Sequence, residues 1–252
     1  MSESRPDWVL LRGLTREARH WGGFPERLGA ALGVEVHCLD LPGNGRLNQL
    51  HSPISVERMA DWCHEEIVRA GVRRPCAVLA MSLGAMVTVA WARRYPADIE
   101  RAVLINTSLR PFSAFHQRLR PSNYCRIARL LALPASARRI EEAVFGMTTR
   151  RAADSVIAEW AAWRVANPVS RRNAWAQLIA AAAYRAPLNR PLEQMLLLAS
   201  ARDDLVAPEC SRRLSGQWRV PLQIHPDAGH DLPLDDADWV LAEIRDWLAA
   251  LP

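Results

Sequence analysis

A serine, a histidine and an aspartate, far apart in this chain, stand where a folded sheet could bring them together. Ser82 lies in Ala80-Met81-Ser82-Leu83-Gly84, after a short apolar run and before a helical pattern. A serine so placed either caps the helix or sits on a sharp strand-to-helix turn as a nucleophile. The sharp turn needs small residues two before and two after, and Ala80 and Gly84 supply them. The strand in front favours the turn over the cap. A helix beginning there would aim free N–H groups at developing negative charge.

A hydroxyl is a weak nucleophile until a base takes its proton. Of seven histidines, His230 in Asp227-Ala228-Gly229-His230-Asp231 falls in a loop between the last apolar run and the last helical pattern. His225 ends that run and reads as locally paired; His37 within a strand and His64 within a helix read as structural. An acid must fix the tautomer of the base and stabilise its charged form. Asp203 and Asp204 follow the apolar run at 195–198, and a solvated turn is the competing reading of that pair.

The elements that must position these groups are legible as a rhythm. Apolar runs at 8–11, 34–39, 76–80 and 102–105 alternate with helical spacing, such as Val56, Met59, Ala60, Cys63 and Ile67. Residues 111–186 read as helix after helix, with tryptophans at 160, 163 and 175. Strand patterns return at 195–198 and 221–224, and a last helix puts Val240, Leu241, Ile244, Trp247, Leu248 and Leu251 on one face. Such alternation predicts an α/β fold: a mostly parallel sheet, about six strands, with helices on both faces and a helical insertion. Ligands of such sheets gather at the carboxyl ends of the strands, where all three groups fall.

Composition narrows the classes. Half of the 252 residues are hydrophobic and 23% charged, ordinary for a folded domain. No stretch reaches the length of a membrane span, and the opening residues carry no leader pattern, so a cytoplasmic protein is expected. Five cysteines at wide spacings, with no C-x-x-C pair, read as buried free thiols rather than a disulfide or zinc framework. All 32 basic residues are arginine, which excludes Schiff-base lysine chemistry and the lysine-bearing phosphate loop. Residues 111–186 hold twelve arginines against four acids, whereas the rest holds twenty against twenty-three. No nucleic-acid-binding motif accompanies that basic segment.

Taken in order, these segments resemble the α/β-hydrolase superfamily, small serine-esterase type, across essentially the whole chain. Leu11-Arg12-Gly13-Leu14 with Trp21 resembles the family's L-H-G-x … W segment, and Asp40-Leu41-Pro42-Gly43-Asn44-Gly45-Arg46 its D-x-x-G-x-G-x-S loop. Ala80–Gly84 matches the elbow, Arg202-Asp203-Asp204-Leu205-Val206 resembles x-D-x-L-V, and Gly229-His230 matches the terminal G-H. The resemblance implies a catalytic triad of Ser82, Asp203 and His230, with Asp203 preferred over Asp204. It implies an oxyanion hole made by the N–H groups of Leu14 and Leu83, with Arg12 and Trp21 as substrate-side residues. It implies a core of 1–110 and 187–252 with a lid of 111–186, and neither metal nor cofactor.

Two departures stand out: Arg12 replaces the family's usual histidine, and the amino-terminal strand hairpin is missing. Arg12 either meets an acidic part of the substrate or ties down its loop. The lid's tryptophans and leucines either line an acyl pocket or pack the lid. Its arginines form either a solvated face or a surface for an acidic partner, as in methyl esterases that act on pimeloyl chains held by acyl carrier protein. The expected activity is hydrolysis of small carboxylic esters or thioesters through an acyl-enzyme. Carbon–carbon bond hydrolysis, lactone opening, acyl transfer and a non-catalytic ligand receptor are the rivals. A dehalogenase is disfavoured because it needs a carboxylate at the elbow.

Overall fold

Six short apolar runs, most of them buried on both faces, can be satisfied only as neighbours in one covered sheet. In the computed structural model, which describes residues 5–151 and 153–251, they are β1 (Trp8–Leu11), β2 (Val36–Leu39), β3 (Cys76–Met81), β4 (Ile99–Ile105), β5 (Gln194–Ser200) and β6 (Leu222–His225). Their order is β2-β1-β3-β4-β5-β6, and every pairing is parallel. Met1–Ser4, part of the stretch on which the reading of the amino terminus rests, lie outside the described residues. No helix among the described residues is long and apolar enough to cross a membrane.

Parallel neighbours need long crossovers, and the helical stretches supply them. These are α1 (Phe24–Leu32), α2 (Val56–Arg69) and α3 (Leu83–Arg94). Between β4 and β5 come α4 (Phe115–Arg118), α5 (Tyr124–Ala132), α6 (Ala137–Thr148), α7 (Asp154–Ala166) and α8 (Arg171–Ala183). Then follow α9 (Glu209–Trp218), α10 (Leu232–Asp235) and α11 (Ala237–Ala249). The excursion between β4 and β5 closes on itself, because the Ala186 N–H donates to the Arg110 carbonyl at 2.7 Å.

Alternate strand residues serve opposite layers. Val9, Leu11, Val78, Ala80 and Leu104 pack with Met59 and Ile67 of α2 and Val87 and Trp91 of α3. Trp8, Leu10, Leu79, Val103 and Leu198 pack with Leu28 of α1 and Val240 and Ile244 of α11. The chain winds outward in both directions from β1 and β3, which pair with Leu11 beside Ala80. The segments leaving those two strands therefore emerge side by side, at the place where such sheets form a crevice.

Inserted helices are joined to the sheet by a buried ion triad. Glu141 of α6 is fully buried and accepts from Arg16 Nη1 at 2.6 Å and from Arg164 of α7. The Arg16 guanidinium lies 4.5 Å from the Trp160 ring and donates to His20, whose Nε2 is 2.8 Å away. Burial, with Arg16 and Arg12 nearby, holds His20 far below the ordinary imidazole range, so a neutral ring serves as acceptor.

One expectation needs correction, and one open alternative is decided. Cys125 on α5 is exposed, although the other cysteines are buried or half-buried and all are free. Trp160 is buried against Phe145 and Ile157 and Trp163 packs partly on them, whereas Trp175 is exposed; none of the three reaches the cavity described below. Removing one member of a buried ion group leaves the others uncompensated. Glu141→Gln should therefore lower unfolding stability by about 3 kcal/mol in a denaturant titration. A loss under about 1 kcal/mol would mean that the triad is no anchor.

Candidate active site

At the end of β3 the backbone turns abruptly. Ser82 has φ 52° and ψ −113°, a region that costs a residue with a side chain on the order of 1–3 kcal/mol. The surroundings hold it there. Its N–H donates to Ile105 O at 3.0 Å, and its carbonyl accepts from Met86 N and Thr107 Oγ1, each at 3.3 Å. The hydroxyl makes no capping hydrogen bond to α3, so the helix-cap alternative fails. Gly84 is required by contact: a Cβ there would stand 2.6 Å from the carbonyl oxygens of both Leu11 and Arg12. At Gly13 a Cβ would meet Ser82 Cβ at 3.1 Å. The start of α3 is thus pressed against the end of β1.

His230 stands on the loop after β6. Its Nδ1 donates to Asp203 Oδ2 at 2.7 Å. The other oxygen of Asp203 accepts from Leu205 N at 2.7 Å and Val206 N at 2.9 Å. The carboxylate is fixed by its own loop before it orients the ring, and Nε2 is left as the free basic nitrogen. Asp204 turns outward to Arg150 at 3.0 Å. Of the adjacent pair, Asp203 is the one the fold buries behind the histidine.

Ser82 and His230 line one cavity of about 250 Å³, together with Arg12, Gly13, Leu14 and Leu83. Leu83 is the first residue of α3, so its N–H has no partner within the helix. The remaining wall is mainly apolar and comes from the inserted helices, including Ile127, Leu130, Ile140 and Leu178. Trp21 is absent from this lining; it stacks on Phe24 and lies 4.7 Å under the Arg12 guanidinium. The ring is thus packed on Phe24 and Arg12, apart from the cavity wall.

Arg12 borders the cavity, but its fork is engaged by both carboxylate oxygens of Asp231, with Nη1 to Oδ1 at 3.1 Å. The pair is almost wholly buried. Between the two readings of Arg12, the geometry favours tying: it joins the end of β1 to the residue following His230.

Asn106 was not anticipated. It follows β4 in the left-handed region, φ 46°, which asparagine tolerates better than most residues. Its Nδ2 donates to His230 O at 2.8 Å and Gly229 O at 3.3 Å, while Oδ1 accepts from Ser200 N at 2.9 Å. Asp235 adds an acceptor for Gly229 N at 2.6 Å, and Thr148 O accepts from Asp231 N at 2.6 Å. A lone asparagine at a strand end was the only available signal, and it does not specify partners more than ninety residues away.

The electrostatics suit a base. Burial disfavours the charged ring of His230, but the charge and hydrogen bond of Asp203, with Asp231 beyond, raise its pKa above the ordinary 6.5 despite the opposing Arg12. The ring is neutral, and able to accept a proton, only above that raised value.

The profile of the alpha/beta hydrolase family matches residues 8–243. RutD of Escherichia coli O17:K52:H18, named a candidate carbamate hydrolase, is 33% identical over 106 residues, 42% of this chain and 37% of that protein. The chain thus spans under two fifths of the length of that relative. A thermophilic esterase from Thermogutta terrifontis superposes with TM-score 0.78 at 22% identity, over 98% of this chain and 90% of the other. The enol-lactonase of Burkholderia xenovorans LB400 gives 0.75 at 18%, over 99% and 94%. At these identities the structural likeness speaks to the fold.

If His230 is a general base, kcat/KM falls as pH drops through its raised pKa. The acid limb should therefore have its midpoint above 6.5. Asp231→Asn deletes one raising charge and unpairs Arg12, so the midpoint should move down. An unmoved or rising midpoint in that variant would refute the electrostatic role of the pair.

Proposed function

The chain belongs to the alpha/beta hydrolase family, and from that premise we propose that it is a serine hydrolase of small carboxylic esters or thioesters. Ser82, His230 and Asp203 form its triad. One observation carries the reading: Ser82, on its strained turn, and His230, backed by Asp203 at 2.7 Å, border the same apolar cavity. A buried histidine–aspartate pair serving structure alone would have no reason to border the cavity of a serine held at such a cost.

In the first half-reaction Ser82 Oγ attacks the carbonyl carbon while its proton passes to His230 Nε2. The carbonyl oxygen becomes an oxyanion, held by the N–H groups of Leu14 and Leu83; two such donors typically supply the largest electrostatic contribution. As the tetrahedral centre collapses, the bond to the alcohol or thiol breaks and the leaving group takes the proton from His230. Water then attacks the acyl-enzyme, gives its proton to His230, and the acid departs with Ser82 Oγ reprotonated. Asp203 keeps Nδ1 protonated, so that Nε2 is the nitrogen free to take the serine proton, and stabilises the imidazolium. No step requires a metal or cofactor.

Residues 111–186 act as the lid and 1–110 with 187–252 as the core. The cavity volume lies just below the 300–1,000 Å³ common for drug-sized ligands, which favours a short acyl chain. The name of the RutD relatives supports including carbamates, whose carbonyl offers the same electrophile to the same machinery. An acyl chain delivered by acyl carrier protein at the arginine-rich lid is a narrower form of the proposal.

A fluorophosphonate probe should modify Ser82 and no other residue, as mapped by mass spectrometry. Ser82→Ala should abolish both labelling and ester turnover. Asp203→Asn should lower kcat by roughly 10³–10⁴-fold while leaving Ser82 in place. Labelling elsewhere, or turnover surviving in Ser82→Ala, would end the triad assignment.

A further inference from the structure

Five arginines border the candidate cavity, and they are not alike. Arg12 is paired with Asp231, and Arg16 and Arg164 share Glu141. Arg171 is exposed to solvent and donates to Ala132 O. Arg118, at the end of α4, is different: it is only 8% exposed, and no carboxylate among the described residues pairs with it. Its Nη2 donates to Ala181 O and its Nη1 more weakly to Ala182 O, at 3.4 Å, while its buried Nε has no acceptor. Burial and the neighbouring Arg110 push its guanidinium below the ordinary range, as expected of a cation with no anion beside it.

A buried charge without a counter-charge is costly to keep. Two carbonyls of α8 orient the group but do not neutralise it, and a guanidinium has five N–H donors. Its planar fork matches a carboxylate. Most of the remaining wall is apolar, Leu119, Leu205 and Val206 included. Such a wall would hold a hydrocarbon spacer and leave Arg118 as the distinctive contact for a charged end.

We propose that Arg118 binds a free carboxylate of the substrate, so that the preferred ester is an anion, such as the monoester of a small dicarboxylic acid. This rests on the hydrolase reading above and narrows it. The carboxylate belongs to either the acyl or the alcohol part, and paired substrates distinguish the two.

The experiment compares kcat/KM for monomethyl glutarate with dimethyl glutarate, and for 4-acetoxybutanoate with butyl acetate. In the wild type the anionic member of at least one pair should be preferred by about 10- to 100-fold, the range for a hydrogen-bonded ion contact. That ratio should collapse to about one in Arg118→Gln and return in part in Arg118→Lys. A ratio near one in both pairs, or one unchanged in Arg118→Gln, overturns the proposal. Should Arg118→Gln fail to fold, competition on the wild type decides: glutarate should inhibit at least about tenfold more strongly than glutaramide, and equal inhibition overturns it. Calorimetry on Ser82→Ala separates the two readings. Tighter binding of monomethyl glutarate than of dimethyl glutarate, with no ester turned over by the wild type, would keep the carboxylate site and sink the hydrolase. Turnover without any anionic preference would do the reverse.

Discussion

The backbone of Ser82 occupies a conformation that side chains disfavour, and much of the centre of the molecule is arranged to hold it. The strain persists because several independent contacts over-determine it. The parallel register sets Leu11 beside Ala80, which brings the carbonyls of Leu11 and Arg12 against Gly84. The Ile105 carbonyl takes the serine N–H. That same approach puts the segment carrying Leu14 next to the first turn of α3. Relaxing the turn would therefore separate the two proposed oxyanion donors as well as move the hydroxyl. Position 80, glycine in the family's elbow, is alanine here and is fully buried in the apolar layer that also holds Leu83 and Ala85 of α3.

The histidine faces the opposite problem. It stands on a loop, whose own backbone offers little rigidity, and a ring proposed to act as a base tolerates little displacement. Rigidity is imported from four directions. Asn106 reaches from β4, Asp235 from α10, Thr148 from α6, and Arg12 from the end of β1. The Thr148 contact matters most for dynamics, since α6 belongs to the inserted helices that also wall the cavity. Any movement of α6 that widened the cavity would pull on the residue next to His230. Access to the cavity and the position of the proposed base would then be linked, and the Glu141 triad holds that same helix to Arg16.

The sheet was legible because buried parallel strands are continuous apolar runs, and 8–11, 76–80 and 195–198 are such runs. Boundaries moved by a few residues: β4 begins at Ile99, not 102, because its first turn of chain is only partly covered and carries Glu100 and Arg101. The preference for Asp203 over its neighbour was legible only through resemblance. In the folded chain the loop offers two N–H groups to one carboxylate and none to the other. The Arg12–Asp231 pair spans 219 positions, and Asn106 joins the end of β5 to the loop of His230. Contacts of that kind have no period and no local spacing, so nothing in a single sequence announces them. The same holds for Trp21: a family motif marked it as substrate-facing, whereas cation–π packing under Arg12 claims its ring.

The excess of arginine between 111 and 186 takes on a different meaning once each side chain is placed. Arg164 is spent on Glu141, Arg138 on Glu142 and Arg150 on Asp204. Arg118 is buried in the cavity wall and Arg171 donates to a carbonyl. A field able to steer an acidic partner needs cations that are exposed and unpaired on one face. Arg126, Arg129, Arg139 and Arg172 form no ion pair among the described residues, and they lie on α5, α6 and α8, elements that also line the cavity. Only three of the segment's twelve arginines are thus ion-paired, and Arg120, Arg151 and Arg185 also form no ion pair among the described residues, so most of the surplus read from the sequence persists. A long-range attraction toward anions from the exposed arginines and the buried, unpaired Arg118 inside would act in the same direction, the first drawing a negatively charged substrate inward and the second holding its carboxylate.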